Sequence, residues 1–180
     1  MALLDESSAD RLVEVFVECY RYERDRLVRA FPGMLELTGR LRETGIGVAV
    51  VTSKLRADAL EELSATGFLQ NVGAIVAFED TAAHKPDPAP QLAALHALGA
   101  SGGVGVGDLP TDIESAHAAG LAAIGVSWGY GATPALLGAG ALCVCDSAEQ
   151  LEGELRELLA QAAISFSKRS GSSKGPTTAR

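Results

Sequence analysis

Short apolar runs alternate with amphipathic segments along most of this chain. Continuous runs of small aliphatic residues are typical of strands buried on both faces, and they occur at 47–51, 74–78, 103–107, 122–126 and 141–145. Segments with helical spacing of apolar residues lie between them: 9–30, a short one ending at 45, 55–64, 89–98, one ending at 120, and 148–162. Strands that alternate with helices predict an α/β fold with a doubly wound parallel sheet.

Two carboxylates follow the central predicted strand. Asp108 falls where the strand at 103–107 ends, and Asp112 comes about one helical turn later. Open α/β folds bind ligands at the carboxyl ends of their strands, and Mg²⁺ prefers carboxylate, phosphate and water oxygens. The pair therefore predicts a cation site. The alternative is that Asp108 caps the next helix and Asp112 is a solvated neighbour.

Polar groups also follow two other predicted strands. Thr52 and Ser53 come after the strand at 47–51, where hydroxyls and helix N–H groups can bind a phosphate oxygen. Lys85 precedes Pro86-Asp87-Pro88, and two prolines restrict the backbone of its loop. An ammonium held there can stabilise developing phosphate charge. Helix capping by Ser53 and an ordinary surface lysine are the alternatives.

Composition narrows the function classes. The formal net charge of -8 and pI near 4.9 argue against nucleic acid as a partner. Three cysteines form neither a CxxC motif nor an even set, which favours a reducing cytoplasm over a secreted location, with Cys143 and Cys145 as buried apolar residues. We expect no membrane span and no signal peptide. His96 and His117 are interpreted as ordinary helix residues, and residues 165–180 as a disordered, weakly basic tail.

The strand-end motifs together resemble those of haloacid dehalogenase-like (HAD) hydrolases. The resemblance is carried by Val50-Val51-Thr52-Ser53-Lys54, by His84-Lys85-Pro86-Asp87-Pro88, and by Val106-Gly107-Asp108 with Asp112, Ala119-Gly120, Val126 and Trp128-Gly129. These segments look like the second, third and fourth motifs of the family, and the chain is most similar to its phosphoglycolate phosphatase and pyrophosphatase branch. The resemblance covers roughly residues 10–160.

The resemblance implies a role for each of these side chains. Thr52, helped by Ser53, would hydrogen-bond the transferring phosphoryl group, and Lys85 would steady the charges of phosphate and nucleophile. Asp108 would bind Mg²⁺, with Asp112 as a direct ligand, a ligand through water, or a partner of a ligand. The substrate would be a small phosphorylated metabolite, cleaved through an aspartyl-phosphate.

The sequence departs from the family at its first motif. The family opens with a strand ending in DxD, which carries the nucleophile, and then a helical cap; this sequence has no DxDGT. Residues 1–31 resemble the last part of such a cap, and 32–164 the α/β core. Asp5 is a poor stand-in for the nucleophile, because four apolar residues make a poor central strand.

We therefore expect a sheet without its middle strand and little or no phosphatase activity of the chain alone. Either the chain is a shortened form, through a mis-set start or as a fragment, or its gap is filled by another polypeptide or by rearrangement. A homo-oligomer is also possible. A non-catalytic protein that binds phosphate or a partner is the first alternative function. A dinucleotide-binding oxidoreductase is less favoured, because Gly105-Val106-Gly107 lacks the third glycine of that fingerprint.

Overall fold

The computed structural model describes residues 6–170, which form parallel strands flanked by helices. The helices are α1 (Glu6–Leu27), α2 (Met34–Glu43), α3 (Arg56–Ala65), α4 (Ala89–Leu98), α5 (Pro110–Ala118), α6 (Thr133–Gly138) and α7 (Ala148–Ser170). The strands are β1 (Ala49–Val51), β2 (Ala74–Val76), β3 (Val104–Gly107), β4 (Ala122–Val126) and β5 (Val144–Cys145). Short 3₁₀ helices occupy Phe68–Asn71 and Phe78–Asp80. The predicted α/β class is confirmed.

The strands form two sheets instead of one. β1 pairs with β2 in parallel, and β3, β4 and β5 form a second parallel sheet in that order. Helix α3 connects β1 to β2, α5 connects β3 to β4, and α4 carries the chain from the first sheet to the second. The described residues provide no strand between β1 and β3, which is the position where the sequence predicts a missing strand.

Helices cover both faces of the larger sheet. On one face α7 and α2 bury Leu37 and Leu151 against Ile124 of β4. On the other face α5 and α6 bury Ile113 and Leu136 in a second cluster with Ala123 of β4. Because successive strand residues point to opposite faces, neighbouring positions in β4 serve the two clusters. The strands are therefore apolar throughout, as the sequence pattern indicates.

Helix α1 meets the body of the protein along part of its length. Its apolar positions are largely exposed, with 62% of Leu12 and 69% of Phe16 accessible. Its contact with α3 is polar: Arg24 forms an ion pair with Glu61, and Tyr20 bonds to Glu62. The charged side of this helix is therefore not solvated throughout, since the Arg24 side chain is 11% exposed.

Several predicted boundaries differ from the structure. Strand β5 is confined to its last two predicted residues, and α6 was not predicted, although Pro134 at its start and the buried Leu136 are its local signals. Helix α7 continues to Ser170, which corrects the prediction of a disordered tail from 165 onward. The preceding alanine-rich segment favours that extension, because alanine has the highest helix propensity. Residues 171–180 lie outside the described chain.

Candidate active site

Lys85 reaches across the carboxyl ends of the two sheets. Its Nζ donates to Asp112 Oδ1 at 2.6 Å and to the Val51 carbonyl, the last residue of β1, at 3.3 Å. The Lys85 and Asp112 side chains are 15% and 12% exposed. A solvent-facing surface lysine is therefore the wrong interpretation of this residue. The ammonium joins the end of β1 to the segment that follows β3.

A buried hydroxyl fixes the loop that carries Lys85. Ser115 of α5 is fully buried, and its Oγ donates to the Asp87 carbonyl at 2.8 Å. The Asp87 carboxylate accepts the N–H of Ala89 at 2.8 Å, at the first residue of α4. Sequence reasoning missed Ser115, because nothing local distinguishes a serine that reaches another loop from an ordinary helix serine.

Asp112 is the third residue of α5 and has both carboxylate oxygens engaged. Oδ1 accepts from Lys85, and Oδ2 accepts the backbone N–H of Leu109 at 3.0 Å. Leu109 is the N-cap of α5, so this carboxylate replaces a side-chain cap at the helix start. The geometry makes Asp112 a partner that positions Lys85 and the Asp108 turn.

Asp108 is enclosed by the loop that follows β4. Its Oδ2 accepts the N–H of Tyr130 at 2.9 Å, and its carbonyl accepts the N–H of Gly131 at 2.9 Å. A β-carbon added at Gly129 would overlap the Asp108 carboxylate, so this close approach requires glycine. The helix-cap interpretation of Asp108 is wrong, since Leu109 occupies that position. Gly129 belongs to the segments that carry the family resemblance, but its contact with Asp108 is visible only in the folded chain.

Thr52 and Ser53 begin the turn between β1 and α3. Thr52 Oγ1 accepts the N–H of Lys54 at 3.1 Å, which leaves the hydroxyl proton available for another acceptor. Ser53 is exposed. The N-cap of α3 is Leu55, which forms no side-chain cap, so helix capping by Ser53 is excluded.

Lys54 belongs to a polar cluster with Tyr20 and Glu62 that joins α1 to this turn. Its Nζ donates to Tyr20 Oη at 2.9 Å and forms an ion pair with Glu62. Burial favours the neutral amine, but the bonds with Glu62 and Tyr20 outweigh it and raise the pKa of Lys54. Burial and the bond to Glu62 also raise the pKa of the Tyr20 hydroxyl. No local pattern marks these three residues as a cluster, because Tyr20 lies far from Lys54 and Glu62 in the sequence.

A cavity of about 270 Å³ lies between this turn, the start of α2 and the loop after β4. Thr52 and Trp128 line it, and the Trp128 ring lies 6.2 Å from that of Phe31. Of the two aromatic residues in the loop after β4, Trp128 lines this cavity. Tyr130 is 94% exposed and contributes its backbone N–H to Asp108 instead.

The donor set fits a hard cation in part. Two carboxylates, Asp108 and Asp112, follow β3. Proteins usually bind Mg²⁺ through one or two carboxylates together with phosphate and water oxygens. Among residues 6–170 there is no cluster of three or more acidic, histidine or cysteine side chains able to hold a metal. Asp108 is the direct-ligand candidate here, because both oxygens of Asp112 already accept hydrogen bonds. Asp5 lies outside the described residues.

The strand ends thus present three chemical groups in chain order. Thr52 follows β1 and offers a hydroxyl, and Asp108 follows β3 and offers a carboxylate. Lys85, in the loop before α4, brings its ammonium to the carboxyl end of β1. Such a set can bind an anion and its divalent counter-ion, because hydroxyl and ammonium donate to oxygen while the carboxylate attracts the cation.

Comparison with known proteins identifies the family. The sequence profile of the haloacid dehalogenase-like hydrolases matches residues 2–126. The chain belongs to this family of HAD hydrolases. It is 33% identical over 129 residues to a phosphoglycolate phosphatase of Mesorhizobium japonicum, covering 71% of this chain and 57% of that protein. It is 32% identical over 127 residues to pyrophosphatase PpaX of Oceanobacillus iheyensis, covering 69% and 59%.

Solved structures agree with the family assignment. A hydrolase from Pseudomonas syringae matches with a TM-score of 0.74 at 28% identity, covering 86% of this HAD chain and 72% of the other. The chain spans 57%, 53% and 61% of the length of three curated phosphoglycolate phosphatases that it matches. Within residues 6–170, none of the helices is long and apolar enough to cross a membrane.

Proposed function

We propose that this chain forms the α/β core of a Mg²⁺-dependent phosphatase that cleaves a small phosphomonoester, such as phosphoglycolate, or pyrophosphate. The placement of Lys85 carries the proposal. Its ammonium is held between the Val51 carbonyl and Asp112, at the point where the two sheets end. A phosphate bound there would meet a fixed positive charge that needs no reorganisation during the reaction.

The remaining strand-end groups would divide the work of phosphoryl transfer. Thr52 would donate its free hydroxyl proton to a phosphate oxygen. Asp108, oriented by the N–H of Tyr130, would hold Mg²⁺ with Asp112 behind it. When bound, the cation would neutralise part of the phosphate charge. Phosphoryl transfer suits this set, because its catalysis is mostly positioning and charge stabilisation.

The proposed reaction passes through an aspartyl-phosphate. A carboxylate oxygen bonds to phosphorus while the bond to the leaving oxygen breaks, and that oxygen departs with the electron pair and takes up a proton. Water then attacks the phosphorus, which releases inorganic phosphate and restores the carboxylate. A second cavity, of about 670 Å³, lies beside Lys85. Among the described residues that line it, Asp112 is the acidic one, and both its oxygens are engaged. We therefore propose that the chain alone turns over slowly.

Phosphate binding and turnover test the proposal separately. Calorimetric titration with inorganic phosphate and Mg²⁺ should show binding that weakens about tenfold in Lys85→Met and in Thr52→Val. The Arg40→Gln control should bind normally, because Arg40 pairs with Glu152 on the surface and away from the strand ends. Phosphate binding that is unchanged in Lys85→Met would contradict the assignment.

A non-catalytic phosphate-binding protein is the second candidate. Catalysis would need a nucleophile in addition to metal ligands. The described site offers two carboxylates for both roles, which favours binding without catalysis. It predicts the same phosphate binding, with no phosphate release under any condition. Adding an upstream segment that carries DxD to the amino end, and assaying phosphoglycolate and pyrophosphate with Mg²⁺, separates the two candidates.

A further inference from the structure

Lys85 is the second residue of a tight turn that begins at His84. The Asp87 N–H donates to the His84 carbonyl at 2.9 Å, which closes the turn around Lys85 and Pro86. The Asp87 carboxylate accepts the N–H of Ala89, so the turn leads directly into α4. A contact that holds Asp87 in place therefore also holds the backbone of Lys85.

Helix α5 lies close against β3, because two glycines of the strand leave room for it. A β-carbon added at Gly105 would overlap that of Ala116, and one added at Gly107 would overlap that of Asp112. Neither strand position can carry a larger residue at this spacing, since packed side chains tolerate no such overlap. The position of α5, and of the side chains it carries, is thus set by direct contact with the strand backbone.

Two side chains of α5 hold Lys85, one at each end. Asp112 accepts a hydrogen bond from the ammonium, and Ser115 donates one to the Asp87 carbonyl in the turn. Residues three apart lie on the same face of a helix, so both side chains reach Lys85 and its turn from one side of α5. The ammonium and the backbone of a single lysine are therefore both tied to the same helix.

The hydroxyl of Ser115 does more than satisfy itself within its own helix. Hydroxyls in or at the end of helices commonly bond a carbonyl three or four residues earlier. Three threonines of this chain do so: Thr38, Thr44 and Thr66. Ser115 is fully buried, and its Oγ reaches a carbonyl 28 residues away. Packing alone needs no hydroxyl there, since the next and equally buried residue is Ala116.

We propose that Ser115 is a positioning residue of the proposed phosphate site and that it acts through Lys85. By holding the turn, its hydroxyl keeps the Lys85 ammonium between the Val51 carbonyl and Asp112. An ammonium has three N–H donors, and these two bonds use two of them. The third is left in one direction for a phosphate oxygen. That this donor meets phosphate rests on the proposed function; the effect of Ser115 on the ammonium does not.

Hydrogen exchange of the Lys85 ammonium, measured by proton–nitrogen NMR, tests the positioning. Its signal is assigned by its loss in Lys85→Met. Ser115→Ala removes the hydroxyl without adding volume. It should speed the exchange about fivefold, because the ammonium then leaves its two acceptors more often. Unchanged exchange in Ser115→Ala would overturn the proposal.

Thr38→Val is the matched control, since it removes another buried hydroxyl and keeps the shape of the side chain. The bonds of Thr38 are made within α2 and with Asn71. Both substitutions should lower the urea midpoint of unfolding, so a loss of stability does not distinguish them. Exchange of the Lys85 ammonium should be faster in Ser115→Ala alone. An equal change in Thr38→Val would identify general loosening as the cause and refute the proposal.

Calorimetric titration with inorganic phosphate and Mg²⁺ measures whether the effect reaches the site. Ser115→Ala should weaken phosphate binding about fivefold in the natural chain, a loss equivalent to one hydrogen bond. In the Lys85→Met background the same substitution should weaken it less than about twofold, because the ammonium that Ser115 positions is gone. Equal losses in the two backgrounds would contradict an action through Lys85.

The two measurements separate this proposal from the proposed function. If Lys85→Met binds phosphate as the natural chain does, the proposed function is contradicted, and the ammonium exchange of Ser115→Ala still decides whether Ser115 positions Lys85. If that exchange is unchanged, the positioning proposal is contradicted, whatever the phosphate titration shows. Ser115→Cys, which keeps a weak donor at the same place, should exchange at a rate between those of the natural chain and Ser115→Ala.

Discussion

Replacing Asp112 by asparagine should destabilise the chain more than any surface charge change. The substitution keeps the size of the side chain and an acceptor for Leu109 N–H, but it leaves the Lys85 ammonium, 15% exposed, without its counter-charge. At 2.6 Å the attraction is about 6 kcal/mol with an effective dielectric constant of about 20. The desolvation of both charges offsets much of this.

The net loss should fall between the values for exposed and fully buried pairs. Exposed pairs contribute roughly 0–1 kcal/mol, and removing one partner of a buried pair costs about 3–5 kcal/mol. We expect a decrease of about 2–3 kcal/mol in the free energy of unfolding of Asp112→Asn. With a urea dependence of about 2 kcal/mol per molar, the midpoint should fall by roughly 1 M.

Urea unfolding followed by circular dichroism measures the effect. Arg40→Gln is the control, because Arg40 is 51% exposed and its pair with Glu152 should contribute less than about 1 kcal/mol. In the double variant Lys85→Met with Asp112→Asn, the loss should be smaller than the sum of the single losses. If Asp112→Asn behaves like the Arg40 control, the reasoning about a partly buried charge pair is refuted.

Three further predictions concern other parts of the molecule. Gly129→Ala should lower the urea midpoint of unfolding, because the added β-carbon overlaps the Asp108 carboxylate. The control is Gly153→Ala, which lies in open space within α7 and should raise the free energy of unfolding by up to about 1 kcal/mol in the same assay. In a titration with a thiol reagent at pH 8, the exposed Cys19 should react at once. Cys145 should react only on unfolding, because burial raises its pKa to about 12. Prompt reaction of all three cysteines would contradict this prediction. The Ala77 N–H bond and the Arg56 ion pair lower the pKa of Asp80, so its stabilising effect should be present above about pH 4 and lost as the pH falls below that. Asp80→Asn should therefore flatten the acid limb of a stability–pH curve, and an unchanged limb would refute the assignment.

Regular elements could be predicted from sequence wherever one periodicity dominates. The predicted bounds of α4 and β4 are those of the structure, because each is an uninterrupted apolar or amphipathic run between turn residues. The same periodicity does not predict burial, as α1 shows. Helical spacing reports an apolar stripe, but not whether another element covers it, and Leu12 and Phe16 are exposed.

For the candidate site, the sequence predicts residue types but not their contacts. Thr52, Lys85 and Asp108 follow strands, and the carboxyl ends of parallel strands share one edge. The bond from Ser115 to the Asp87 carbonyl joins positions far apart in the chain. The engagement of both Asp112 oxygens likewise depends on folded geometry. Sequence patterns carry no direct record of such pairings.

The division into two sheets bears on how the polypeptide acquires its structure. Each sheet is built from one contiguous stretch, 49–76 for the first and 104–145 for the second, with every pairing between strands that are neighbours in the chain. Short loops close at little entropic cost, so either half can assemble before the other. Cooperative unfolding of the two halves then depends on α4, on the helices packed across them, and on contacts such as the bonds from the Lys85 ammonium to the Val51 carbonyl and to Asp112.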